Sequence, residues 1–382
     1  MIDRKTIESR ELSLLAGYAA KAVQSKGRVY PAVEHPLRTC FQRDRDRIVH
    51  SSAFRRMEYK TQVFLPHEGD HYRTRLTHTI EVAQISRTMA RALGLNEDLT
   101  EAIALVHDVG HTPFGHAGED VLSELLKDAG GFNHNRQSLR VVDLIEQRYP
   151  EHPGLNLSFE VREGIAKHET KNRHVPAEFD PSTRPTLEAS LVDIADEIAY
   201  SAHDIDDGLR AGLLEIDDLR SLSIWGTAED SLFAGTGVAG HLVDDQKRHL
   251  LVRRVVDQVV TDVLSHTESQ IQRLAIRTVD DVRACPEHVC YYSADVELRV
   301  AELKQFLRVR LYRHPKLGEL SDRAKKTITI LFNRLNSDLS GLPLRYREML
   351  NTERQEIVVA DFIAGMTDRY AERSADSSIT TL

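Results

Sequence analysis

The chain has 382 residues, 41% of them hydrophobic and 29% charged, with a formal net charge of −9, three cysteines and eighteen histidines. The length supports a substantial core in about one to three domains, and the acidic balance argues against a general nucleic-acid-coating surface, though a local positive patch can still focus a small anion or a single strand. No apolar run approaches the roughly 20 residues of a membrane span, LSLLAGYAA follows acidic Glu8 and Glu11, and Cys40, Cys285 and Cys290 cannot form a disulfide framework, so a cytoplasmic protein with free thiols is expected.

From Leu76, the run LTHTIEVAQISRTMARAL sets His78, Val82, Ile85 and Met89 at helical spacing and ends at Gly94, which predicts a helix with His78 facing inward. EDLTEAIALVHDVG follows as a helix with Leu99, Ile103 and Val106 on one side, stopping at Gly110 just beyond His107 and Asp108. TPFGHAGEDVLSELL begins another helix, and residues 136–148 read as one more. Prolines at 150, 153, 176, 181 and 185 interrupt helices, so loops or a short hairpin are expected over 150–185. LEASLVDIADEIAYSAHDIDDGL then stacks Asp196, Tyr200 and Asp204 four residues apart on one helix face. Residues 245–275, 295–312 and 320–338 read as helices, and the Ser/Thr-rich tail after Arg373 is expected to fray. With no internal repeat, the chain reads as mainly α: an N-terminal segment 1–34, a helical core 35–215 with room for one small β-hairpin, a C-terminal helical extension 216–373 and a tail 374–382.

Two short motifs are set aside. HEGDH, residues 67–71, has the letters of a zinc-protease site, but that site needs both histidines on one helix face, and Pro66 and Gly69 oppose a helix. GTGVAG at 235–240 lacks the βαβ unit that a dinucleotide fingerprint requires. The basic run RDRDR at 43–47 is largely neutralised by its own aspartates and reads as helix-surface ion pairs.

HDVGHTPFGH, residues 107–116, carries the chemistry. Adjacent side chains on a helix diverge by about 100°, so His107 and Asp108 converge on one ion only at a fraying helix end. His78 arrives from an earlier helix, and a carboxylate from a later one, best Asp196, would complete a mixed N/O site suited to Mn, Fe, Ni, Co, Zn or Mg. So many inward polar groups are costly in a core unless something such as a metal compensates them.

His78, then His107-Asp108, then Asp196 resembles the HD-domain metal phosphohydrolase pattern. RTCFQRDRDRIVHSSAFRRMEYKTQVF, EGDHYRTRLTHTIEVAQ, HDVGHTPFGHAGE, ADEIAYSAHDIDDG and DFIAGMTDRY narrow the resemblance to bacterial dGTP triphosphohydrolase-like proteins over roughly residues 35–373. That resemblance implies one divalent metal held by His78, His107, Asp108 and Asp196, with His67 outside the site and His71 near it at most. The implied reaction is attack of metal-activated water on the α-phosphorus of a dNTP, releasing deoxynucleoside and tripolyphosphate.

The resemblance further implies His116 as proton donor to the departing 5′ oxygen, with Glu119 three residues on orienting it, and His111 and His134 contacting phosphates or supporting catalysis. Many relatives carry FEH where this chain has FNH, so His134 lacks an acidic sequence neighbour. Gln62 and Asp204 match positions that hydrogen-bond the sugar 3′ hydroxyl, Tyr200 the ring against the deoxyribose, and Arg75 a phosphate contact; Lys60 and Lys167 are weaker phosphate candidates. A homo-oligomer is implied, with a hexamer or a tetramer, an activating second dNTP and single-stranded DNA binding all left open. Competing readings keep the metal but hydrolyse another nucleotide phosphoester, or keep the fold as a nucleotide- or DNA-binding regulator.

Overall fold

A computed structural model describes residues 1–63, 72–168, 175–233 and 244–376. The HEGDH and GTGVAG stretches, His67 and His71 included, lie outside the described residues. The chain is mainly α, as its periodicity predicts. In chain order its principal helices are α1 (Arg4–Leu14), α2 (Cys40–Val49), α3 (Arg75–Ala92), α4 (Glu97–Val106), α5 (Gly115–Leu125), α6 (His134–Arg140) and α7 (Phe159–Lys167). After these come α8 (Leu187–Arg210), α9 (Ser223–Phe233), α10 (Asp244–Arg273), α11 (Ala294–Arg310), α12 (Pro315–Ser337), α13 (Gln355–Ala364) and α14 (Asp368–Asp376). No described helix is long and apolar enough to cross a membrane.

Two sequence expectations need correction. Within 150–185 the chain forms helix α7 rather than loop alone, because the prolines at 153 and 176 flank residues 159–167 without entering them. Gly164 in this helix lies against Ile103, where a Cβ would come within 2.9 Å of the isoleucine. No hairpin forms there among the described residues, whose β pairing consists of the isolated bridges Arg28–Ser158, Thr61–Thr74 and Gln147–Gly154. The helix expected over 136–148 is shorter: α6 ends at Arg140, and a π turn over Val141–Ile145 closes on Glu146, whose N–H donates to Val141 O.

The described chain divides into two compact units, each gathering three stretches, whereas the expected blocks 35–215 and 216–373 are serial. Unit one comprises Met1–Gln24, Glu81–Glu101 and His174–Leu317. There α8 packs on α10, and α9 on α10 and α11. Leu251, Val255, Val259 and Val263 recur every four residues along α10 and are all buried, the stripe that an amphipathic helix turns inward. Thr186 caps α8 by accepting the Ala189 N–H.

At the start of α8 sits Glu188, fully buried, with Oε1 accepting the N–H groups of Ala20 and Asn96 at 2.9 and 3.1 Å. Burial pushes its carboxyl up to about 7. The folded state thus holds a proton that the unfolded chain, near 4.5, has released, so this group costs stability progressively as pH rises from the unfolded to the folded value. Glu188→Gln keeps the accepting oxygen and removes the ionisation. Urea unfolding at pH 5.5 and 8 is expected to give the variant a smaller loss between the two, by about 1–3 kcal/mol; an unchanged pH slope would refute the assignment.

Unit two comprises Ser25–Ile80, Ala102–Arg173 and Gly318–Leu382. Phe41, Ile48, Met57, Val142, Val161, Ile165 and Ile328 are buried in it. The arginine-rich run departs from the expected self-neutralised surface pairs: Asp44 is buried against Arg28, Asp46 meets Arg38 as well as Arg45, and Arg43 and Arg47 donate to the carbonyls of Val33 and of Leu155 and Asn156. This unit holds most of the histidine cluster.

Candidate active site

Helix α4 stops at Val106, and the next four residues turn, so the adjacent His107 and Asp108 side chains no longer diverge as they would within a helix. The turn is pinned to α6: Ser138 Oγ donates to His107 O at 2.7 Å and accepts the Gly110 N–H at 2.9 Å. Gly110 must be glycine here, because a Cβ would stand 2.1 Å from Ser138 N and 2.4 Å from His134 O. Gly110→Ala therefore has to push α6 away from the turn. A loss of about 2–4 kcal/mol in urea unfolding is expected, the range of severe backbone clashes; a loss under about 0.5 kcal/mol, the level of a neutral surface change, would contradict the packing.

His78, His107 and Asp108 are buried and offer donor atoms all within 4.8 Å of one another. The 2.6 Å contact between His107 Nδ1 and Ala104 O selects the tautomer with hydrogen on Nδ1, which makes Nε2 the lone-pair nitrogen. That Nε2 stands 3.6 Å from Asp108 Oδ1, too far for a hydrogen bond and close to the span between two donors each about 2.1 Å from one ion. Burial opposes ionisation of Asp108, but the Arg75 guanidinium and a hydrogen bond from His111 hold its carboxyl well below the usual range. Two imidazole nitrogens and an ionised carboxylate fit a divalent metal.

Arg75 opens α3 and donates from Nη1 to Asp108 Oδ2 at 2.9 Å, with its side chain 2% exposed. Its Nε and Nη2, together with Gln62 Oε1 and His111 Nδ1, are buried without a hydrogen-bond partner among the described residues. Leaving such polar groups unmet costs about 1–3 kcal/mol each, more for charged groups, so a cationic fork with two unused nitrogens beside the His-Asp cluster is poised for an anion. Gly115, with φ of +59°, makes room for this fork, since a Cβ there would come within 3.2 Å of Arg75 Nη2 and 3.3 Å of Gln62 O.

His111 lies 3.2 Å from Asp108 Oδ1, and its ring stacks on His134 with centroids 3.9 Å apart. Burial, with Arg75 and His134 nearby, pushes its imidazole well below the usual range, so it is neutral. Lys60 sits differently from a phosphate ligand: its buried ammonium donates to His111 O at 2.5 Å and Ala364 O at 2.7 Å, committing two of its three donors to the fold. Burial, with Arg56 close by, pushes this lysine down to about 7.

Glu119 meets a second histidine besides the expected His116. Its firm partner is His134: Oε2 stands 2.8 Å from His134 Nδ1, and Oε1 accepts the His134 N–H at 3.0 Å. His116 Nδ1 lies 3.6 Å from the same Oε2, a longer contact than that of His134. Burial works against the charge on Glu119, but His116 and His134 prevail and hold its carboxyl far below the usual range. The acidic neighbour absent from FNH is thus supplied from α5, while Asn133 caps α6 by accepting the Arg136 N–H and so sets His134 at the first helical position.

On α7, Lys167 pairs with Glu163 at 3.1 Å, both buried. The next residue, His168, was not singled out from the sequence; it is buried with its ring 5.3 Å from that of His107. Within unit one, Asp196 and Tyr200 are half-buried on α8 and Asp204 is buried one turn further on. Tyr312, also unnoticed in the sequence, donates its hydroxyl to Asp204 and lays its ring 6.3 Å from Tyr200. The two lie 108 residues apart, and no local motif links them.

Residues 75–201 match the HD domain, and residues 290–377 match the phosphohydrolase-associated domain. The chain is 51% identical over 363 residues to a deoxyguanosinetriphosphate triphosphohydrolase-like protein of Azoarcus sp., with 94% of each chain covered. It is 45% identical to one of Geobacter sulfurreducens, covering 97% of this chain and 96% of the relative. A third, from Thiobacillus denitrificans, is 47% identical, with 94% and 95% covered.

Proposed function

The chain belongs to the HD-domain phosphohydrolase family of deoxyguanosinetriphosphate triphosphohydrolase-like proteins, and from that premise we propose that it is a metal-dependent dNTP triphosphohydrolase, converting a dNTP and water to deoxynucleoside and tripolyphosphate. The observation that carries the reading is the Arg75 fork, buried with two unused nitrogens beside a three-donor metal cluster. A phosphate is the anion that suits both.

His78, His107 and Asp108, with Asp196 as fourth donor, would hold the ion. A divalent metal supplies neutralisation of charge on the phosphoryl oxygens and a lower pKa for water. Arg75 binds a phosphate of the substrate through Nε and Nη2, the bidentate geometry a guanidinium favours. Water adds at the α-phosphorus while the bond to the 5′ oxygen breaks, and His116 delivers the proton that turns this oxygen into the product hydroxyl. Glu119 fixes His134, whose ring backs His111, so the two imidazoles face the phosphates as a set. Gln62 and Asp204 hold the 3′ hydroxyl and Tyr200 closes on C2′, disfavouring ribonucleotides. Lys167 is a further phosphate contact, and Lys60 acts through the backbone it holds. The oligomer is a ring of like chains, a hexamer or a tetramer, with a second dNTP or single-stranded DNA as candidate effectors.

The test is turnover of each dNTP and rNTP, singly and in pairs, with Mn or Mg, resolving tripolyphosphate from pyrophosphate and phosphate. Tripolyphosphate plus deoxynucleoside establishes attack at the α-phosphorus. No tripolyphosphate under any pairing, with metal bound, would discard the reading.

A further inference from the structure

We propose that Asp368, from the segment matched to the phosphohydrolase-associated domain, is a positioning residue that sets the active-site turn and with it Gln62, Arg75 and His116. The inference rests on the preceding reading for the reaction it affects.

The motif DFIAGMTDRY holds two aspartates seven residues apart, both buried and each turned onto a different piece of the site. Asp361, on α13, accepts from Gln137 Nε2 at 2.9 Å and from Arg140 Nε and Nη2 at 3.0 and 2.6 Å, which anchors α6 and so His134. Asp368, which opens α14, accepts the Phe114 N–H on Oδ1 at 2.9 Å. Its Oδ2 accepts the Thr61 N–H at 2.9 Å and the Thr61 hydroxyl. One carboxylate therefore ties residue 61, beside Gln62, to residue 114, two before His116.

The tie bears on an unusual backbone. Phe114 has φ of +64° and Gly115 φ of +59°, two consecutive left-handed residues immediately before α5. A non-glycine residue holds that conformation only where its surroundings over-determine it; here the Asp368 carboxylate takes the Phe114 amide in the required direction. Thr61 in turn bridges to Thr74, and Lys60 O accepts the Arg75 N–H at 3.2 Å, so the same carboxylate registers the start of α3, from which the Arg75 fork projects. Helix packing alone would need a side chain of suitable volume, not two carboxylate oxygens each filled by backbone donors.

The chemistry of the replacement gives the test. Asp368→Asn is isosteric, yet its amide must turn a donor toward one of two N–H groups that are also donors. Thr61→Val removes only the hydroxyl contact and keeps the side chain's shape. Both variants are compared with wild type for dGTP turnover, hydrolysis of bis(4-nitrophenyl) phosphate, metal content, thermal midpoint and amide exchange over residues 111–116.

We expect Asp368→Asn to lower kcat about 10–100-fold, the effect of an ångström-scale misplacement, and Thr61→Val about 3–10-fold. Metal content stays at the wild-type level, the protein stays folded and exchange at Phe114 is faster. A kcat within about twofold of wild type in both folded variants, or unchanged exchange at Phe114, overturns the proposal. A kcat loss matched by equal loss of metal or folded protein also overturns it, since that is a structural role only. If wild type cleaves the diester but no dNTP, the substrate reading fails and the diester rates decide the tie. If it cleaves neither, amide exchange decides it.

Discussion

Replacement of His107 by alanine is expected to abolish metal binding and turnover together. The imidazole is buried, its tautomer is fixed by the Ala104 carbonyl, and its Nε2 shares a pocket with Asp108 and His78. Removing it deletes one of the four proposed ligands and leaves His78 as the single imidazole among them, and Asp108 then keeps Arg75 as its firm partner. Metal content measured on the purified protein should fall from about one ion per chain to under about a tenth, and dNTP hydrolysis by at least about 10³-fold. The fold supplies the control. Ser138→Ala loses the two bonds pinning the turn to α6, costs about 1–2 kcal/mol in stability and retains the ion, because no ligating side chain is altered and the lost bonds are to backbone atoms. Full metal content in a folded His107→Ala variant would remove this residue from the ligand set. The same holds for Asp108→Ala, where the buried Arg75 would in addition be stripped of its carboxylate.

What could be seen in the sequence follows from how local the information is. The helices carrying His78, Asp196, Tyr200 and Asp204 announce themselves by apolar spacing over ten or more residues, and the HDVGHTPFGH cluster is contiguous, so both were legible. Pairings formed between elements were not. Glu119 is three residues from His116 and fifteen from His134, and intrahelical spacing points to the nearer histidine; the closer contact arises because α6 returns alongside α5. Lys60 looked like a free cation near a phosphate site, and only the fold reveals the carbonyls of His111 and Ala364 closing over it. Tyr312 meets Asp204 across 108 residues. DFIAGMTDRY was readable as a motif but not as a device, since its aspartates matter through backbone amides whose positions no residue pattern encodes.

His116→Ala separates acid catalysis from metal binding. Its side chain is 57% exposed and belongs to no ligand group with His78, so truncation should leave metal content and unfolding unchanged. The departing 5′ alkoxide is strongly basic and needs a proton in the transition state. Losing the donor should therefore lower kcat on a dNTP by about 10²–10⁴-fold. The leaving group gives the decisive contrast. A 4-nitrophenyl ester departs as a weakly basic phenolate that needs no proton, so the variant should hydrolyse bis(4-nitrophenyl) phosphate within about threefold of wild type. Equal losses on both substrates would assign His116 to phosphate binding instead, and no loss on either would remove it from the site. Glu119→Gln should behave differently from both. It weakens the hold on His134, whose N–H and Nδ1 it engages, so it is expected to lower activity on the two substrates alike and to cost about 1–2 kcal/mol of stability.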